Sequence, residues 1–179
     1  MKKESLYSIG IILILGLLGL WYFKKPEQPQ APVSNNPLIT AEESNMAEDW
    51  EEYRNEGLKF AFLYPTEMKV EETNEGGGAK TIVFEDPTNL WGFQIFIVPY
   101  KENKISEEQF KRDVPSGVRN DLKEFQVDGV TANAFHSEDA LLGETSEVWF
   151  VYDGYLYEMT TLKSQETLLE DVIGNWEFI

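Results

Sequence analysis

An uncharged apolar run from Leu6 to Phe23 is the strongest constraint on how this chain can be arranged. As a helix rising 1.5 Å per residue it would span roughly 27 Å, enough to cross the hydrocarbon core of a bilayer. Lys2 and Lys3 precede the run, and the sequence Trp-Tyr-Phe-Lys-Lys at positions 21–25 ends it in the manner of a membrane interface. We therefore predict a transmembrane helix over about 6–23 within an N-terminal segment, 1–25.

Two other interpretations of this run are weaker. A cleaved signal peptide needs small residues at its cleavage site, whereas three aromatic residues stand there, and the small Ala31 is followed by Pro32. A buried core helix would show a polar face and caps. We therefore predict an uncleaved signal anchor, and a single-pass protein of the cell membrane with the N-terminus inside and the C-terminal domain outside, because a short lysine-bearing lead before an apolar run is the layout of a secretory signal.

Charge and composition change after the anchor. Four prolines among Gln, Ser and Asn predict a solvated, semi-extended tether over 26–46. The whole chain carries −17 and the anchor segment +3, which leaves −20 on the remainder. Such a surface repels phosphates, so nucleic-acid binding is disfavoured. The absence of cysteine excludes disulfides, thiolate metal sites and thiol catalysis.

Residues 47–179 have the pattern of one globular domain. Trp50 and Tyr53, at i and i+3, indicate a short helical turn. Alternating apolar residues then predict strands at 58–64, 68–71, 81–84 and 91–98, with the first and last apolar on both faces and therefore central. The Gly-rich segment 75–78 reads as a turn between two of them.

The second half of the domain begins with a helix start, because Ser106 can cap the Gln109 amide. Three further strands follow, with turns at Asp128-Gly129 and at Asp153-Gly154, the latter inside a hairpin from 148 to 162. Ser164 is expected to cap a last helix whose apolar stripe is Leu168, Leu169, Val172 and Ile173. Hairpins and two-faced strands together predict an α+β fold, an antiparallel sheet flanked by helices on both sides.

These residues resemble a known family. The segment Gly57 to Pro65, the strand 92–98, the Ser106-Glu107-Glu108 cap, the aromatic Asp153-Gly154 hairpin and the closing Trp176-Glu177-Phe178 are similar to the PsbP-like domain over about 50–179. The resemblance implies an α/β/α sandwich around an antiparallel sheet. It also implies a binding or assembly protein rather than an enzyme, of the membrane-tethered bacterial type. No functional residue of the family matches a position of this chain.

Few side chains of this sequence are arranged in a pattern that indicates catalysis or metal binding. His136 is the only histidine, and neighbours on an extended chain point to opposite faces, so it is interpreted as a surface residue. Asp86, Glu85 and the pair Glu71-Glu72 could offer oxygen ligands to calcium, but none has the spacing of an EF-hand loop. A solvated acidic face is the simpler interpretation. No catalytic, cofactor or metal residue is predicted.

Aromatic residues of the hairpin are the best candidates for a partner surface: Trp149, Tyr152 and Tyr155. Trp149 is expected to lie opposite Glu158, either at a helix edge or partly exposed. The leading hypothesis is a membrane-anchored, extracytoplasmic binding or assembly module without catalytic activity, whose partner is another protein. The alternatives are a calcium-dependent protein or carboxylate-based enzyme on the outer membrane face, and a structural spacer that lacks an exposed apolar patch.

Overall fold

The computed structural model describes residues 49–89, 91–114 and 116–179. The predicted transmembrane helix over 6–23 and the predicted tether over 26–46 lie outside these residues, so both stay predictions. Within the described ranges, no helix is both long enough and apolar enough to span a membrane.

The described residues form ten strands and two α-helices. The helices are Glu107–Asp113 (α1) and Glu166–Gly174 (α2), the second preceded by a 3₁₀ turn at Lys163–Gln165. The strands are Trp50–Asn55 (β1), Phe60–Pro65 (β2), Lys69–Gly76 (β3), Ala79–Asp86 (β4), Trp91–Pro99 (β5), Asn120–Val127 (β6), Val130–Asp139 (β7), Gly143–Tyr152 (β8), Tyr155–Leu162 (β9) and Glu177–Phe178 (β10).

Seven of these strands form one antiparallel sheet in the order β3-β4-β5-β9-β8-β7-β6. Along the chain, four strands of this sheet, rather than the predicted three, follow α1 and precede α2. The predicted hairpin register is confirmed, since Tyr152 pairs with Tyr155 and Trp149 with Glu158. Asp153 and Gly154 both have positive φ, as a type I′ turn requires.

The remaining strands form a small antiparallel sheet in the order β1-β2-β10. The helical turn predicted at Trp50 and Tyr53 is wrong, because these residues lie in β1, where Tyr53 pairs with Phe62. Pairing with β2 outweighs the local spacing. The strand β2 is central in this small sheet, but only one of its faces is fully covered, since Leu63 is 38% exposed.

The two faces of the large sheet are covered differently. One face packs against α2 and the small sheet in the main core, where Trp176 stacks on Phe60 and Phe62 with ring centroids 4.6 and 4.9 Å apart. The other face packs against α1 in a smaller cluster, which contains Phe110, Val114, Phe135 and Trp149. Helices therefore lie on both sides of an antiparallel sheet, and the α+β prediction is confirmed.

The two helix starts had different outcomes. Ser106 caps α1 as predicted, accepting a hydrogen bond from the Gln109 amide at 3.1 Å. The cap predicted at Ser164 is wrong, because this residue lies in the 3₁₀ turn and α2 begins without a side-chain cap. The predicted apolar stripe of α2 is buried throughout.

Candidate functional site

A groove of about 1040 Å³ lies on the α2 side of the large sheet. Its lining comes from the neighbouring strands β6, β7 and β8, from α2, and from the small sheet. Apolar side chains form much of the lining. They are Phe125 and Ala134, which are half-buried, and Val148, Leu169 and Ile173, which are buried. The groove can therefore accept apolar groups from a partner.

Carboxylates dominate the charge of this groove. Six of them line it, against the single ammonium group of Lys123: Glu52, Glu124, Asp128, Glu166, Glu170 and Glu177. Glu52 is paired with Arg54 at 3.1 Å, and Asp128 accepts the Phe178 amide at 2.8 Å. The carboxylates of Glu124, Glu170 and Glu177 make no hydrogen bond or ion pair with other described residues. All three side chains are exposed.

His136 ties the edge strand β6 to α2 beside this groove. Its Nδ1 lies 3.0 Å from the Asp121 carboxylate, and its Nε2 lies 2.9 Å from the carboxylate of Glu166. The hydrogen bond to Asp121 raises the pKa of His136, burial opposes this, and Glu166 adds to the increase. Protonation makes both ring nitrogens donors, so the imidazolium bridges two carboxylates. The partners lie 15 and 30 residues away in sequence, which is why the neighbours of His136 gave no sign of them.

The three predicted partner-surface residues do not share one surface. Trp149 is 2% exposed and packs between Phe110 and Phe135 under α1, so the expectation that it is partly exposed is wrong. The residues that cover Trp149 come from other elements, with Phe110 on α1 and Phe135 on β7. Tyr152 and Tyr155 lie on the opposite face and are half-buried, with Tyr152 stacked on Phe178 at 3.8 Å. Their partner role stays a prediction.

Two buried glutamates, which the sequence analysis missed, lie on the α1 side of the sheet. Glu147 accepts hydrogen bonds from Thr145, Thr160 and the Trp149 indole. Burial raises the pKa of Glu147 to about 7, despite these three donors. Burial likewise raises the pKa of Glu158 well above its usual value, and the nearby Asp113 carboxylate adds to the effect. The sequence did hold a sign of this pair, because each glutamate occupies a position of a hairpin strand that faces inward.

The carboxylates that were considered as possible calcium ligands are engaged elsewhere or spread apart. The Asp86 carboxylate accepts bonds from its own loop, namely from the amides of Thr88 and Asn89, the Asn89 side chain and the Trp91 indole. Burial opposes ionisation there, but these bonds outweigh it and lower the pKa of Asp86 to about 2. Among the residues that the structure describes, no group of three or more His, Asp or Glu side chains is placed to hold a metal ion.

Comparison with known proteins gives a likeness of fold. No family model matches the sequence, and no curated protein matches it. Among solved structures, the solution structure of cyanobacterial PsbP (CyanoP) from Synechocystis sp. PCC 6803 is similar, with a TM-score of 0.56 and 13% sequence identity. The match covers 80% of this chain and 100% of that chain. The predicted fold is thereby confirmed, and the chain has a PsbP-like fold.

Proposed function

We propose that this protein is a membrane-anchored, extracytoplasmic binding or assembly module without catalytic activity, which holds another protein in the groove beside α2. The observation that carries the proposal is the groove itself, which combines an apolar lining with an open, charged rim. An apolar concavity of this size on a domain surface is typical of binding sites. The PsbP-like fold supports a binding role, because the resemblance implies binding and assembly rather than catalysis.

Site-specific crosslinking in native membranes tests the binding role. A photoreactive amino acid replaces Leu63, which lines the groove and is 38% exposed, in the full-length protein. The matched control carries the same group at Leu141, which is 68% exposed and lies outside the groove. We expect a discrete protein adduct from position 63 that is missing from position 141. No adduct at position 63, or the same adducts at both positions, would contradict groove binding.

The anchored, outward-facing arrangement has its own test. Because the chain has no cysteine, Ser34→Cys in the tether and Ser5→Cys before the apolar run give clean reporters. In intact cells the first variant should react with a membrane-impermeant maleimide, and the second only after lysis. The opposite pattern would reverse the orientation and leave the groove proposal standing.

The non-catalytic part of the proposal is tested separately. The purified full-length protein, held in detergent, should give no sustained turnover in a screen of ester, phosphate, peptide and glycoside substrates. Turnover that co-purifies with the protein and is abolished by a substitution in the chain would establish an enzyme instead.

A further inference from the structure

We infer that the occupant of the groove is a cationic segment of another protein, one in which lysine or arginine residues alternate with apolar ones. This inference rests on the proposed function and names the chemistry of the partner. Two properties of the groove carry it, the excess of carboxylates on its rim and the apolar surface between them.

The carboxylates on the rim are available to a partner. Glu124 lies on β6, Glu170 on α2 and Glu177 on β10, so the three approach the groove from three different elements. They are exposed, and no cation of the described residues pairs with them. Lys123 is the one cation in the lining, and it makes no ion pair with a described residue. A positive segment would therefore replace repulsion among these acids with attraction.

The apolar part of the groove requires more than charge from the occupant. Phe125 and Ala134 on one side and Leu169 and Ile173 on the other form a surface that a purely polar cation would leave wet. Lysine and arginine bury their aliphatic stems along such surfaces while the charged ends reach the rim. A volume of about 1040 Å³ has room for several side chains, since pockets for small molecules span about 300–1,000 Å³.

Two other occupants fit the charge poorly. A second copy of this chain carries a net charge of −17, so two copies repel one another. The preceding segment of the same chain, 26–48, contains four glutamates and neither lysine nor arginine. A basic region of a different protein satisfies the charge and the apolar lining together.

Binding of designed peptides to the full-length protein tests the inference. The probes are two 12-residue peptides, one alternating leucine with lysine and one alternating leucine with glutamate, offered to protein held in uncharged detergent. The first should bind in a salt-dependent way and the second should not. Charge reversal at the rim, in the triple variant Glu124→Lys, Glu170→Lys and Glu177→Lys, should weaken binding of the lysine peptide at least tenfold.

A control variant separates the groove from overall charge. Glu67→Lys, Glu71→Lys and Glu102→Lys change the net charge by the same amount at exposed positions outside the groove, and should change affinity less than twofold. Equal weakening in both triples would overturn the inference, because only general attraction would remain. Equal binding of the two peptides would overturn it too, in favour of an uncharged apolar occupant.

The outcome is distinguishable from failure of the proposed function. If position 63 still crosslinks to another protein while the peptides show no preference, the binding role stands and the cationic occupant is wrong. If sedimentation shows a dimer, and the triple variant Glu124→Lys, Glu170→Lys and Glu177→Lys dissociates it, a second copy is the occupant and the inference is wrong.

Discussion

Glu147 should make the stability of the domain fall as pH rises. Its side chain is 7% exposed and its pKa is raised to about 7 from an ordinary value of 4.5. The folded state thus holds this proton more tightly than the unfolded state does. The contribution of Glu147 to the free energy of unfolding must therefore decrease between about pH 4.5 and about pH 7 and level off above. A shift of this size corresponds to about 3 kcal/mol, at 1.36 kcal/mol per pKa unit.

The substitution Glu147→Gln removes this dependence, because an amide is neutral at every pH and keeps the shape of the protonated acid. The variant should match the original protein near pH 4 and be more stable by up to about 3 kcal/mol near pH 8. Urea unfolding of the full-length protein in non-ionic detergent, followed by tryptophan fluorescence across this pH range, measures the difference. The stability of the variant should still depend on pH to some extent, since Glu158 is buried on the same face of the sheet and its pKa is also raised.

A matched control is Glu102→Gln, at an exposed position without a hydrogen-bond partner among the described residues, which should leave the pH profile unchanged. The reasoning is refuted if the stability difference between Glu147→Gln and the original protein is the same at acid and alkaline pH. A variant that is less stable than the original near pH 8 would show that ionised Glu147 is a net stabilising group.

Three further changes have defined outcomes. Val172→Asp should cost more than about 3 kcal/mol in urea unfolding, because Val172 is fully buried in α2, and a loss under about 1 kcal/mol would mean that the site can expose the charge. His136→Gln should lower the melting temperature more at about pH 6 than at about pH 8. The pKa of His136 is raised in the fold, so its protonated ring stabilises the fold below about pH 6.5, and this stabilisation is lost as pH rises through the pKa of the folded state. A loss that is the same at both pH values would rule out the bridge to two carboxylates. Residues 47–179 alone should melt cooperatively, because the apolar cores described here belong to them, and a broad, non-cooperative melt would contradict the predicted boundary.

Local patterns predicted the parts of the fold that depend on local physics. The Asp153-Gly154 turn fixes the register of its hairpin by its own geometry, and the apolar stripe of α2 follows directly from helical periodicity. The error at Trp50 and Tyr53 has a different origin. Two residues at i and i+3 suit a helix, but the hydrogen bonds that settle the segment come from β2, which a local window does not weigh.

The candidate site could not be predicted because it is assembled from distant segments. The groove joins residues of β2, β6 and α2, which are separated by long stretches of chain. Trp149 was misplaced for the same reason, since its cover comes from α1. His136 likewise contacts Asp121, where the register of β6 shifts, and Glu166 in α2. Sequence neighbours give no information about contacts between such distant residues, because the topology of the sheet determines these contacts.

The small sheet ties the start of the domain to its end. Its central strand β2 pairs on one side with β1, which immediately precedes it, and on the other with β10, more than a hundred residues later. During synthesis, the rings of Phe60 and Phe62 on β2 therefore cannot complete their packing in the main core until Trp176 has been made. Contacts so distant along the chain form slowly and late. The emerging chain consequently exposes this aromatic surface until Trp176 and β10 are made, and exposed apolar surface of this kind favours aggregation until the core can form.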